Sequence, residues 1–198
     1  MNYSRYALLF ALLLGGCAQV PERPAPEELA PLWLEHQQQV GQLSNWDING
    51  RIGIRTADQS GTASLFWRQQ GASYEMRIVA PLGQGTYILT GSPSRVQMSG
   101  PDDLLLTAGT AEELMVKGLG WSLDLQGLRY WVRGLPQPEN AFANLELDAD
   151  GRLDSLQQSG FNIDIERYAT VDKYTLPEKL LIENGELQLK VLIKRWQI

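Results

Sequence analysis

Apolar and polar residues alternate along most of the chain beyond residue 45. From Trp46 to Ile54 every second residue is apolar or glycine, and the residues between them are polar or glycine. A period of two predicts a half-buried strand. The closing segment has the same form, since its alternate residues Leu187, Leu189, Val191 and Ile193 are all apolar. Strands are predicted over 46–55, 63–68, 74–78, 85–90, 95–99, 104–107, 143–147, 154–158, 161–168, 180–183 and 187–196.

Three segments carry helical patterns instead. Residues 32–43 place apolar side chains on one face and a Gln-rich polar face opposite. Thr110 followed by Glu113 forms a capping box that opens a helix over 112–119. A third helix is predicted over 125–133, ending before Gly134.

Eleven short strands with frequent turns and three helices predict an antiparallel α+β fold. The apolar sides of these strands must be covered. They either pack into a filled core or line a cavity, and periodicity alone does not distinguish the two.

The first 31 residues precede this fold. An eight-residue apolar run, Ala7 to Leu14, is too short to span a bilayer and is typical of a secretory signal, here residues 1–16. Leu14-Gly15-Gly16-Cys17 resembles a bacterial lipobox, which predicts acylation of Cys17 as the lipid attachment site. Residues 17–31 include four prolines and predict an extended tether, followed by one domain over 32–198.

Charge and composition exclude several classes of protein. The formal net charge is −6, and Lys and Arg form no cluster along the sequence. This argues against nucleic acid as a partner and against electrostatic docking on an anionic membrane. One Cys and one His exclude a disulfide framework and multi-Cys metal sites.

No catalytic constellation or cofactor motif is present, so neither an enzyme nor a cofactor is predicted. The only histidine, His36, lies on the first predicted helix, where a solvated side chain is expected. The acidic segment 148–154 resembles the front of a calcium loop but lacks its distal Glu, and Asp150-Gly151 favours a hairpin turn.

Several ordered motifs resemble the LolB family of outer-membrane lipoproteins. They are His36-Gln37-Gln38-Gln39-Val40, Gly50-Arg51, Phe66-Trp67-Arg68-Gln69-Gln70, Pro81-Leu82-Gly83, Leu128-Arg129-Tyr130-Trp131-Val132, Gly134-Leu135-Pro136 and the terminal Trp196. No single motif is decisive, but their order and spacing together are specific.

The resemblance implies an unclosed antiparallel half-barrel with helices covering a hydrophobic cavity. It also implies that the domain accepts acylated lipoproteins from the periplasmic carrier LolA and inserts them into the outer membrane, without a nucleotide. A monomer that faces the periplasm and is anchored through Cys17 is expected.

The resemblance also assigns candidate site residues. Pro81, Leu82 and Gly83 form the implied membrane delivery loop, with Leu82 displayed at its tip. Strand and helix phase give candidate residues for the acyl-chain cavity: Leu65, Trp67, Met76, Ile78, Ile88, Leu114, Met115 and Trp131. Arg51, at the matching Gly-Arg position, is a candidate to hydrogen-bond a helix terminus and so hold the helical cover in place.

Other classes of protein remain open at this point. A structural outer-membrane lipoprotein would bind a protein or peptidoglycan through its sheet and would have a filled core. A soluble carrier of the LolA kind would lack an acylated cysteine, so Cys17 disfavours it. An acyl-anchored enzyme comes last, because no site supports it.

Overall fold

The computed structural model describes residues 25–81, 85–93, 95–138 and 140–198. They form three helices and eleven strands: α1 (Pro26–Gly41), β1 (Asn45–Arg55), β2 (Ser60–Gln70), β3 (Ser73–Val79), β4 (Thr86–Ser92), β5 (Arg95–Ser99), β6 (Leu105–Ala108), α2 (Ala111–Leu119), α3 (Leu125–Trp131), β7 (Phe142–Leu147), β8 (Leu153–Gln158), β9 (Phe161–Val171), β10 (Tyr174–Glu183) and β11 (Gln188–Gln197). The predicted antiparallel α+β class is confirmed.

All eleven strands belong to one antiparallel sheet in the order β6-β5-β4-β3-β2-β1-β11-β10-β9-β8-β7. The first and last strands of the chain pair at its centre, and β6 and β7 form its two edges. These edges do not pair with each other, so the sheet curls without closing. Helices α2 and α3 follow β6 and precede β7, so this connection crosses from one edge to the other over the concave face.

Strand alternation decides which side chains fill the concave side. In β11, Leu189, Val191 and Ile193 are each no more than 2% exposed, while Lys190 and Lys194 between them are exposed. The buried positions of neighbouring strands join them in one hydrophobic cluster, together with buried residues of α2 and α3. The concave face is therefore the core of the domain, and the convex face meets solvent.

Both helices that cover the concave face begin with a side-chain cap. The Thr110 hydroxyl accepts a hydrogen bond from the backbone N–H of Glu113 at 3.3 Å, as the capping box predicts. The Asp124 carboxylate accepts one from the backbone N–H of Gly127 at 2.7 Å. Helix α2 ends at Gly120, whose φ of 77° is the left-handed conformation that glycine adopts at low cost.

Helix α1 begins at Pro26, six residues earlier than the sequence predicted. Proline suits the first helical position, and Glu27 and Glu28 lie favourably in the positive first turn. Leu29 is buried there, and the glycine of the β7–β8 turn, Gly151, lies against it. Part of the predicted tether is therefore helix, because tertiary packing stabilises its first turns.

Strand β10 is longer than predicted, since it begins at Tyr174 rather than Leu180. The pattern was interrupted by Pro177, which cannot donate a ladder hydrogen bond. The β9–β10 register shifts between Pro177 and Lys179, and this irregularity accommodates the proline inside the sheet. Among the residues that the structure describes, no helix is both long and apolar enough to cross a bilayer.

Candidate functional site

A small apolar space lies between the concave face and the covering helices. Its volume is about 20 Å³, which is room for about one water molecule. Every side chain around it is apolar: Ile52, Leu65, Met76, Ile78, Met115, Trp121, Leu123, Leu125, Leu128, Val132, Leu189 and Val191. We call this space the inner cavity. In this structure the covering helices nearly fill it.

The structure brings four of the predicted cavity residues together around this space, namely Leu65, Met76, Ile78 and Met115. Leu114 is fully buried beside them but does not line the cavity. Ile88 lies on the opposite, convex face, because it is the β4 partner of the exposed Arg77. Strand phase therefore placed it on the wrong side of the sheet.

The two tryptophans among the predicted cavity residues pack elsewhere. Trp67 is the strand partner of Met76 but packs against Trp46, with ring centroids 4.9 Å apart, and its indole N–H donates to the Gln69 side chain at 3.1 Å. Trp131 packs on Phe161, and its indole N–H donates to the Gln158 side chain at 2.9 Å. Both close the core rather than line the inner cavity.

A second, open cavity of about 600 Å³ lies just outside the inner one. It is bounded by the β1–β2 turn, the β10–β11 turn, Phe161 and the segment 120–124 that connects α2 to α3. We call it the outer cavity. Trp121 and Leu123 line both cavities, so these two side chains are the partition between them.

Polar contacts hold the partition segment at both of its ends. The Gln59 side chain donates to the backbone carbonyl of Leu119 at 3.0 Å, and Glu112 accepts from the backbone N–H of Leu125 at 3.1 Å. Both contacts involve exposed or half-buried groups, so water can replace them at modest cost. Sequence reasoning missed this segment, although the alternation of Trp121, Leu123 and Leu125 was visible there.

The implied delivery loop lies at the same end of the sheet as the outer cavity. Strand β3 ends at Val79 opposite Thr86, and the Ala80 N–H donates to the Gly85 carbonyl at 3.0 Å to close the base of the loop. Pro81 is exposed, whereas Leu82 and Gly83 lie outside the described residues. Cys17 lies outside them as well.

His36 is buried, which contradicts the solvated position expected from the sequence. It is 8% exposed and lies between Trp33 and Tyr168, with ring centroids 6.1 Å and 6.2 Å away. The expectation failed because the face of α1 that carries His36 packs against the sheet. Burial, followed by the positive charge of Arg152, lowers the pKa of His36, while Asp148 opposes the shift.

Arg133 is a buried cation that the sequence analysis did not single out. It is 3% exposed, and its guanidinium donates to the backbone carbonyls of Leu43 at 2.9 Å and Arg129 at 3.0 Å. Burial, followed by the charge of Arg129, lowers the pKa of Arg133 to about 10, while Tyr130 opposes the shift. Arg133 stays charged at neutral pH and joins the end of α1 to the end of α3. Arg51, the residue considered for such a role, is exposed.

The acidic segment after β7 forms the predicted hairpin turn. The Asp148 carboxylate accepts from the backbone N–H groups of Asp150 at 3.0 Å and Arg152 at 2.9 Å, and Gly151 has φ of 72°. The backbone thus occupies this carboxylate. Within the described residues, no group of three or more His, Cys, Asp or Glu side chains could hold a metal ion.

The fold of this chain is similar to that of solved structures. A LolA superfamily protein from Nitrosomonas europaea matches this fold with a TM-score of 0.56 at 6% sequence identity, covering 86% of this chain and 93% of that one. At that identity the match concerns the fold alone.

Sequence comparisons define the family. The family model described as outer membrane lipoprotein LolB matches residues 44–196. The outer-membrane lipoprotein LolB of Pseudomonas syringae pv. syringae is 38% identical over 98% of this chain and 97% of its own length. That of Pseudomonas aeruginosa is 40% identical over 93% and 91%. The chain belongs to the LolB family of outer-membrane lipoproteins, which confirms the predicted family, its outer-membrane localisation and its place in lipoprotein localisation.

Proposed function

We propose that this domain accepts the acyl chains of lipoproteins between its concave face and the helices α2 and α3. The observation that carries the proposal is the inner cavity, which is lined only by apolar side chains and separated from an open cavity by two residues. Transfer of acyl chains from water into such a space is favourable in proportion to the apolar area that they bury.

Acceptance requires the cover to move. An acyl chain needs many times the 20 Å³ of the inner cavity. The segment that carries Trp121 and Leu123 separates the outer cavity from the inner one, and one exposed and one half-buried side-chain hydrogen bond hold it. An entering acyl chain replaces the contacts that Trp121 and Leu123 lose when the cover moves. Its affinity for the open form of the domain therefore shifts the equilibrium from the closed form to the open form.

The proposed donor is a periplasmic carrier of the LolA type, and the proposed acceptor works as a monomer. No nucleotide is needed if each successive site binds acyl chains more tightly than the one before, with the bilayer as the final site. The closed core also explains how the acceptor remains folded when it is empty.

The proposal is tested by transfer from the carrier. The chain without its signal segment and acylated cysteine, residues 18–198, is mixed with carrier loaded with an acylated lipoprotein, and each protein is captured to see which one holds the cargo. Ile78→Phe enlarges a side chain that lines the inner cavity, whereas Ile88→Phe makes the same change on the convex face. We expect at least severalfold less transfer to Ile78→Phe and unchanged transfer to Ile88→Phe.

Equal transfer to both variants would contradict a site in the inner cavity. If the folded parent chain accepts no cargo at all, the filled-core structural lipoprotein becomes the better explanation. Thermal unfolding of each variant is the control for folding, because an added methylene or ring in a packed core costs about 1–3 kcal/mol.

We further propose that the loop of Pro81, Leu82 and Gly83 delivers the cargo to the membrane. Its base lies at the end of the sheet where the outer cavity opens, so a released acyl chain would emerge beside it. Leu82→Glu is expected to keep cargo acceptance and lose incorporation of the cargo into liposomes. Equal incorporation by Leu82→Glu and the parent chain would refute this role.

A further inference from the structure

The sheet gathers cations that are scattered along the sequence. Strands β1 and β11 pair at its centre, and five exposed cations lie on the convex side of this pair. They are Arg51, Arg55, Lys190, Lys194 and Arg195. We call these five residues the basic ridge. The chain as a whole carries a net charge of −6, so the ridge is a local reversal of sign.

The strand register sets the spacing of the ridge. Lys190 is the partner of Gly53, which lies midway between Arg51 and Arg55, and Arg195 is the partner of Asn49. Partners in a sheet are about 4.8 Å apart, and a strand rises about 3.3 Å per residue. The ridge therefore extends about 20 Å along the two central strands.

None of the five ridge cations forms an ion pair with a described residue. Two other cations of the convex face are paired, Arg68 with Asp47 and Lys179 with Glu166, and Arg77 lies over the Phe66 ring with 4.5 Å to its centroid. Acidic residues collect on the β8–β10 side, where burial and then the charges of Glu183, Asp154 and Glu166 raise the pKa of Asp164. Positive charge on the ridge thus has no ion-pair partner among the residues that the structure describes.

The ridge occupies the crest of the convex surface. Strand β1 is the sixth of eleven strands in the sheet, and β11 is the next. A curved sheet laid on a flat surface touches it first along its central strands. The residues that would make that contact are the unpaired cations.

A shallow depression of about 330 Å³ lies on the ridge. Arg55 and Lys190 line it together with the hydroxyl-bearing Ser60 and Thr62, and the other lining residues are Gly53, Ile54, Gly61 and Gln188. Two cations and two hydroxyl groups on one depression suit the phosphate of a lipid headgroup.

We propose that the basic ridge is a docking surface for anionic phospholipid headgroups, which lays the convex face of the domain against the membrane. The chain belongs to a family of outer-membrane lipoproteins, so a membrane is the surface it meets. Long, unpaired cations spread over about 20 Å suit a plane of headgroup phosphates better than one compact acidic site. The proposal does not depend on acyl-chain acceptance.

Vesicle binding tests the ridge. The chain without its signal segment and acylated cysteine, residues 18–198, is titrated with vesicles of phosphatidylethanolamine alone or with phosphatidylglycerol added. The ridge variant carries Arg51→Gln, Lys190→Gln and Arg195→Gln. The control variant removes the same charge at exposed sites away from the ridge, with Arg95→Gln, Lys117→Gln and Lys173→Gln.

We expect binding that requires phosphatidylglycerol and weakens with salt. Each lost ridge cation should weaken binding about fivefold, hence about 100-fold for the ridge variant and only a few-fold for the control variant. Equally weakened vesicle binding by the two variants, or binding that does not depend on phosphatidylglycerol, would overturn the proposal.

A second variant adds a negative charge to the ridge without removing a cation. The position of a Cβ at Gly53 is 3.8 Å from the nearest atom, the Lys190 Cβ, so Gly53→Glu fits and places a carboxylate on the ridge. It should weaken vesicle binding at least fivefold. If both ridge changes leave vesicle binding intact but abolish acceptance of cargo from the carrier, the ridge binds an acidic protein and the lipid proposal is wrong.

Discussion

At the residue scale, burial changes the chemistry of single polar side chains that the sequence places on a surface. His36 has a buried Nε2 without a hydrogen-bond partner in the part of the chain that the structure describes, and aromatic rings lie on two sides of it. The folded domain therefore holds this imidazole neutral over a pH range in which an exposed histidine takes up a proton.

This burial makes stability depend on pH. The pKa of His36 is lowered from 6.5 in the folded state, so the unfolded chain binds more protons as the pH falls. The free energy of unfolding is expected to decrease from neutral pH through 6.5 and to level off below the lowered pKa. His36→Phe keeps the ring packing and should remove this component, as measured by denaturant unfolding between about pH 7.5 and 5.5. The same slope in both proteins would show that another group titrates.

The candidate cavity residues show where the alternation of apolar and polar residues predicts the face of the sheet and where it does not. Met76 and Ile78 alternate with the charged Glu75 and Arg77, so phase alone placed them correctly on the concave face. Strand β4 is apolar on both faces around Ile88, since Tyr87 and Leu89 flank it. Phase cannot choose a face there, and only the register with β3 decides it.

At the scale of elements, the pairing of β1 with β11 depends on a glycine. The register shifts between Asn49 and Gly50, and a Cβ at Gly50 would lie 2.2 Å from the backbone carbonyl oxygen of Leu192. A backbone atom cannot move aside as a flexible side chain can. The close approach of the Leu192 carbonyl therefore explains the glycine of the Gly50-Arg51 motif in this fold.

Gly50→Ala is expected to destabilise the domain by about 2 kcal/mol or more, because the central strands must separate to admit the methyl group. Gly61→Ala, at a position with no atom within 4 Å of the added Cβ, is the matched control and should change stability by about 0.5 kcal/mol at most. Urea unfolding of both variants measures the difference. A loss below about 1 kcal/mol at Gly50 would mean that the bulge relaxes without its glycine.

Element boundaries were predictable where local chemistry sets them. The Thr110 cap and the Asp150-Gly151 turn are local features, and both form as predicted. The start of α1 and the first half of β10 depend on packing against distant residues such as Gly151 and on a register shift around Pro177. A pattern of period two or 3.6 contains neither kind of information.

At the scale of the whole molecule, the first and last strands, β1 and β11, pair at the centre of one sheet, and this arrangement produces both candidate surfaces. On the concave side it places Ile52 of β1 beside Val191 of β11 at the inner cavity. On the convex side it joins cations separated by more than 130 positions in sequence into the basic ridge. Sequence reasoning could predict strands and a half-barrel by family resemblance, but not the gathering of charge, which exists only once the ends pair.

The central claim is that cargo acyl chains lie between the concave face and the helices α2 and α3. A diazirine amino acid placed at Met115 faces the inner cavity, and the same group at Ile88 lies on the convex face. After transfer from loaded carrier, illumination should join the cargo's acyl chains to the Met115 position and leave the Ile88 position unlabelled. Efficient transfer without labelling at Met115, or equal labelling at both positions, would contradict the account.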